Sequence, residues 1–307
     1  MNIVISKKDI AWGYIAIFFQ MASGILVLPF VLRMLSADEI GFNYILLTVG
    51  QIVSLFDFSF SLMFGRNLSY IFSGAQVLKK EGVQVSDATS INYHLLYATI
   101  QVIKKCYQIL SILSLLGLLI FGTVYVYYVS DGFSKINNCL LVWVIYVLST
   151  FVNVYFAYYN SLLYGCGKIM ESKKSIIASK LLYIVLCLSF LYCNMGLVGL
   201  CLANLISPFL GRFLSFHWFY TKDLQIKIKE ETVTSSEMKS IFSTIWFNTR
   251  KGMIGMIGAF FINKFGMFLS GLFLSLDVIA SYGLMVQLWG IICGISQNYF
   301  NTKEPQM

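Results

Sequence analysis

The chain has 307 residues, of which 58% are hydrophobic and only 12% charged, with a mean hydropathy of +0.76. Soluble domains carry about 25% charged residues, so this balance argues against a soluble enzyme and calls for lipid as the solvent of most side chains. The net charge of +8 falls on segments between apolar runs and marks topology, which removes the nucleic-acid reading it would carry in a soluble protein.

A hydrocarbon core of roughly 30 Å needs about 20 helical residues. That length predicts an all-α, polytopic transmembrane bundle of about eight helices, at 10–32, 41–64, 106–129, 138–164, 175–194, 196–219, 250–273 and 278–299. Lys7 and Lys8 precede the first run, which is too long for a secretory leader and has no small-residue cleavage site after it, so it reads as an uncleaved helix. Pro29 and Pro208 fall inside the first and sixth spans and are kink positions. Between the second and third spans, Lys79, Lys80, Glu81 and Asp87 and a mixed stretch ending at Lys104 and Lys105 read as a surface helix leading into the membrane.

The charged stretch at 220–240 falls where a linker between two helical lobes would lie. A faint repeat agrees with that division: Ser36-Ala37-Asp38-Glu39-Ile40 follows the first span and Ser275-Leu276-Asp277-Val278-Ile279 follows the seventh. The expected organisation is a six-helix lobe over 1–232 and, over 233–307, the first two helices of a second lobe that the chain leaves incomplete.

Basic residues orient the bundle. With the N-terminus in the cytoplasm, Lys7, Lys8, Arg66, Lys79, Lys80, Lys104, Lys105, Lys168, Lys173, Lys174, Lys222, Lys227, Lys229, Lys239 and Lys303 are all cytoplasmic. Only Arg33 and Lys135 fall outside, where Asp38, Glu39, Asp131 and Asp277 accompany them.

Seven cysteines without a C-x-x-C pair sit mostly in apolar runs, which points to buried free thiols rather than disulfides or zinc. His94 and His217 lack a paired carboxylate motif, and there is no phosphate-binding glycine loop or metal-ligand cluster. No catalytic activity, metal or cofactor is expected, and no loop is large enough for a catalytic domain.

A charge inside a bilayer costs on the order of 2.5–3.5 kcal/mol on insertion scales, so each intramembrane ion is a functional candidate. Lys264 is the clearest. On a continuous helix the separation of Arg250 and Lys264 closes to within about 40° of one face and places them roughly 21 Å apart along the axis. Such cations suit a lipid diphosphate that loses water on entering a cavity. The alternatives for Lys264 are a pair with Asp57 or snorkelling to an interface. Asp57, inside the second span, is a candidate for charge balance or for a coupling proton or sodium ion. Arg66, Asn67 and Arg250 read as interfacial anchors or as the cavity mouth. Gly252, Gly255 and Gly258 suit a bend or a close helix approach.

Residues 28–75 carry several features together: a Leu-Ser-x-Asp-Glu turn at 35–39, Asp57-Phe58-Ser59-Phe60, and Arg66-Asn67-Leu68-Ser69-Tyr70. With the short basic loop from Gly165-Cys166-Gly167-Lys168 to Lys174, and Asn298 to Thr302 followed by Pro305-Gln306, the chain resembles the polysaccharide (O-antigen) flippases. These form a branch of the multidrug/oligosaccharidyl-lipid/polysaccharide exporter superfamily. The resemblance implies two helical lobes around a central cavity in the bacterial inner membrane. It also implies transport of undecaprenyl-diphosphate-linked glycan by alternating access, in polysaccharide or lipopolysaccharide biosynthesis, alongside polysaccharide assembly proteins and with no nucleic-acid partner. Members have twelve or fourteen helices, so on this reading the chain lacks at least four. Lys264, Arg250, Arg66 and Asn67 would then bind the diphosphate, with Asp57 for charge balance or the coupling ion. The other readings are a related exporter of cationic drugs, which favours carboxylates in the cavity, and a membrane-embedded enzyme of polysaccharide assembly.

Overall fold

A computed structural model describes residues 7–80, 90–229 and 231–303, and among these the chain is helical with no strand. Glu81 and Asp87, and Pro305 and Gln306, lie outside the described residues. The helices are α1 (Lys7–Met34), α2 (Ala37–Phe72), α3 (Tyr93–Gly117), α4 (Thr123–Val129), α5 (Cys139–Tyr155), α6 (Tyr158–Gly165), α7 (Ile169–Tyr192), α8 (Gly196–Phe219), α9 (Lys222–Lys229), α10 (Ser235–Asn263), α11 (Phe265–Phe273) and α12 (Leu276–Lys303).

Five helical stretches are long and apolar enough to cross a membrane: Ala11–Met34, Tyr93–Val129, Cys139–Gly165, Ile169–Tyr192 and Gly196–Phe219. Two bent pairs raise the number to as many as 7: α2 bends by 43° between Leu55 and Ser59, and α10 with α11 by 45° between Ile262 and Phe265. The eighth predicted span lies within α12, a helix of 28 residues outside that set.

Local chemistry explains several boundaries. Ser36 caps α2 in a reciprocal box with Glu39, and Thr234 caps α10 in the same way with Glu237. A five-residue π turn, Leu118–Gly122, joins α3 to α4. There Thr123 Oγ1 donates to the Leu118 carbonyl and accepts from Trp143 Nε1 at 3.0 Å.

The mixed stretch before Lys104 differs from expectation. It is not a separate surface helix but the first part of α3, continuous with the third span. The reason is its apolar stripe: Leu96, Ile100 and Ile103 are buried in one core with Phe64, Leu68 and Ile71 of α2. That core also takes in Tyr158 and Leu162 of α6 and Ile241 and Ile245 of α10. A second core joins α1, α2, α5, α7, α8, α11 and α12.

The two ends of the bundle carry different polar contacts. At one end Lys168 donates to the Trp218 carbonyl at 2.6 Å, Lys227 to the Tyr93 hydroxyl at 3.0 Å, and Asn248 to the Lys80 carbonyl at 2.8 Å. His94 lies there between Glu231 and Glu237, at 2.9 and 3.3 Å. The hydrogen bond to Tyr93 holds the exposed Lys227 ammonium above its ordinary pKa. At the other end, the starts of α2, α8 and α12 meet. A Cβ at Gly196 would lie 3.1 Å from Glu39, and one at Gly41 would strike the Leu276 carbonyl. Asp277 is held below the usual carboxylate range by a hydrogen bond from Ser275, with a smaller contribution from Lys135.

Lys135 and Lys227 therefore sit at opposite ends. Single cysteines at these positions, in a background without the native thiols, should be labelled by a membrane-impermeant maleimide from opposite sides. Labelling of both from one side would contradict the membrane-crossing arrangement.

Candidate functional site

The repeated segments after α1 and α11 lead into two helices that start side by side and run in the same direction. Gly41 lies against Leu276, and Gly283 against the ring of Tyr44. One helical turn further, the Tyr44 hydroxyl donates to Gln287 Oε1 at 2.7 Å and ties α2 to α12. Close approach at small residues is how helices associate where lipid is as apolar as their own side chains.

Two adjoining hollows, of about 320 and 720 Å³, open along this seam. Gln51, Lys264, Val286 and Gly290 line both, so they form one divided cavity between α2, α12 and the α10–α11 bend, with α1 walling the smaller part. Its polar lining includes Asn43, Thr48, Gln51, Ser54 and Gln287. The combined size is that of a small-molecule or headgroup site.

Lys264 is the residue at the break between α10 and α11. Its amide still donates to the Phe260 carbonyl at 2.8 Å, and its own carbonyl accepts from Met267, so the backbone passes the bend without losing those bonds. The side chain is half-buried, and no ion pair reaches it among the described residues. A lysine so placed is a fixed positive charge on the wall that divides the cavity.

The other candidate residues lie elsewhere. Arg250 is exposed, rests over the Phe247 ring at 4.9 Å and is not among the cavity residues. The break at Lys264 interrupts the continuous helix on which a shared face was expected. Arg66 is exposed. Asn67 is buried and turns back on its own helix, donating to the Met63 carbonyl at 2.7 Å.

Asp57 stands in the bend of α2, and its carboxylate faces Tyr107 of α3 rather than Lys264. Ser61 and Ser161, whose hydroxyls lie 3.1 Å apart, stand by the same tyrosine. Neither Asp57 Oδ1 nor the Tyr107 hydroxyl closes a hydrogen bond of normal geometry there. Lys264 and Asp57 thus share a feature hidden in the sequence: each stands where a helix bends by more than 40°.

The glycine triplet of α10 divides as well. Gly252 approaches Ser59 closely, whereas Gly255 and Gly258 have nothing within 4 Å of an added Cβ, so a packing role belongs to Gly252 alone. Gly252 and Gly255 line the larger hollow.

Two cations not singled out from the sequence, Lys180 of α7 and Arg212 of α8, line a separate polar cavity of about 380 Å³. Each lies within a predicted span, so the signal that marked Lys264 was present for both. Among the described residues no group of three or more His, Cys, Asp or Glu is arranged to hold a metal ion. Compared with protein families, with characterised proteins and with solved structures, the chain matches none of them.

Proposed function

We propose that this chain, as the whole or a part of a transporter, moves a lipid-linked oligosaccharide across the bacterial inner membrane, with its N-terminus in the cytoplasm. The observation that carries this reading is Lys264: a cation without an ion pair among the described residues, at a helix break, on the wall of a cavity whose other polar lining is mainly amides and hydroxyls and includes no carboxylate. Such a lining suits a substrate with an anionic diphosphate and neutral sugars. It does not suit a cationic drug, which needs carboxylates. The resemblance of residues 28–75 to polysaccharide flippases supplies the substrate class, undecaprenyl-diphosphate-linked glycan.

Alternating access, in this proposal, moves the α2–α12 seam against the rest of the bundle. The two parallel helices meet through Gly41, Gly283, the Tyr44–Gln287 hydrogen bond and a shared core with Ile40, Phe42, Leu276 and Ile279, so in this proposal they move together as one wall of the cavity. The bends at Asp57 and Lys264 are the points where such a motion changes the cavity.

The test is reconstitution of the purified chain in liposomes with a fluorescent undecaprenyl-diphosphate oligosaccharide, scoring its accessibility to a membrane-impermeant quencher. Protein-dependent translocation of this lipid, and none of a cationic dye, is the expected result. Translocation of the dye alone would replace the reading with that of a drug exporter, and translocation of neither would remove it.

A further inference from the structure

A second cavity stands apart from the α2–α12 seam, enclosed by α1, the α5–α6 region, α7 and α8, with a volume of about 380 Å³. α7 and α8 come together there because Gly211 has no side chain; a Cβ would lie 2.2 Å from Ser179 Oγ and 2.7 Å from the Ser175 carbonyl. Lys180 enters this cavity from α7 and Arg212 from α8. The remaining polar lining is neutral and includes Asn153, Asn160, Asn204 and Ser179.

No aspartate or glutamate lines the cavity, and no ion pair reaches either cation among the described residues. The Arg212 guanidinium is held by one hydrogen bond from Nη2 to Asn153 Oδ1 and by the rings of Phe156 and Phe209, each 5.2 Å away. Its Nη1 is buried and has no hydrogen-bond partner among the described residues. The Lys180 ammonium has the Tyr183 ring at 5.7 Å. Aromatic faces ease the burial of a cation but leave its donors unused.

Two half-buried cations that line one cavity and carry unused donors form an arrangement that a bound anion relieves. Guanidinium and ammonium together match an oxyanion, the guanidinium through paired N–H groups and the ammonium as a point charge. The volume is at the low end for ligand pockets, so it admits a headgroup or a small ion but not an oligosaccharide.

We infer that Lys180 and Arg212 form an oxyanion site, for a phosphate-type group, inside the α1/α5–α8 bundle and distinct from the Lys264 cavity. The group is either a free phosphate ion or the phosphate of an anionic lipid reaching in between helices. The inference stands on the second cavity alone and does not depend on the substrate proposed for the first.

The experiment uses the full chain purified in a maltoside detergent, which contributes no phosphate. Thermal unfolding is followed against inorganic phosphate in one series and against phosphatidic acid in another, at constant ionic strength set with chloride. Saturable stabilisation is expected in at least one series, and which series responds identifies the source of the phosphate. Lys180→Gln and Arg212→Gln should each weaken the response by about tenfold or more. The charge-retaining Arg212→Lys should keep part of it. If a Gln variant fails to fold, native mass spectrometry of the unmodified chain decides instead: a phosphate or phosphatidic-acid adduct that survives gas-phase activation and is competed by excess sulfate supports the site. No response in either series and no such adduct, or a response unchanged in the Gln variants, overturns it.

Discussion

Lys264→Ala should abolish translocation of the diphosphate-linked glycan while leaving the yield of folded protein unchanged. The two halves of this expectation come from the same placement. The side chain is half-buried on a cavity wall and forms no ion pair among the described residues, so removing it breaks no packing and orphans no partner. In the membrane placement proposed for this helix, losing a cation without an ion pair among the described residues removes a burden of about 2.5–3.5 kcal/mol on insertion scales, so stability should hold or rise. A charged hydrogen bond to a phosphate contributes about 1.5–3 kcal/mol, which sets a loss of about tenfold to a hundredfold in substrate affinity. Lys264→Arg should retain measurable translocation, because charge is kept while reach and shape change. Normal translocation by the alanine variant in the liposome assay would remove Lys264 from the mechanism.

The helical character of the chain, with stretches long and apolar enough to cross a membrane, was legible because apolar run length reports it directly. Each predicted span lies, to within two residues at its ends, inside a helix or two successive helices. Hidden were the features that depend on tertiary packing. The break at Lys264 has no proline or glycine at the residue itself, and neighbouring helices override a locally helical sequence. Ideal-helix geometry therefore set Arg250 on one face with Lys264, roughly 21 Å away along the axis, whereas Arg250 lies over Phe247 outside the cavity. Asp57 faces Tyr107 because α3 packs against the second half of α2, a contact that spacing along the chain cannot reveal. The repeat at Ser36 and Ser275 was a weak sequence signal that gained meaning only when α2 and α12 proved to start side by side.

Gly41→Ala should be among the most damaging single-methyl changes in the chain. The added Cβ would lie 1.9 Å from the Leu276 carbonyl oxygen and 2.7 Å from its carbon, and both are backbone atoms that cannot rotate away. Ordinary contact begins at 3.4 Å, so the start of α12 must move off α2 by well over an ångström. The neighbours of that contact cannot absorb such a shift. Ile40, Phe42, Leu276 and Ile279 are buried in one core, and the Tyr44–Gln287 hydrogen bond follows one turn later. Overpacking of this kind costs about 1–3 kcal/mol where side chains can adjust, and the rigid carbonyl puts this site at the upper end. The expected result is a lowered melting temperature and a smaller monodisperse fraction in detergent, together with impaired translocation, because the displaced helix is a wall of the Lys264 cavity. Gly255→Ala is the matched control: it makes the same change on α10 with nothing within 4 Å, and better helix propensity should leave its melting temperature equal or higher. Equal melting temperatures for the Gly41 and Gly255 variants would mean that α2 and α12 are not in contact at Leu276, and the parallel seam on which the alternating-access proposal depends would fall with it.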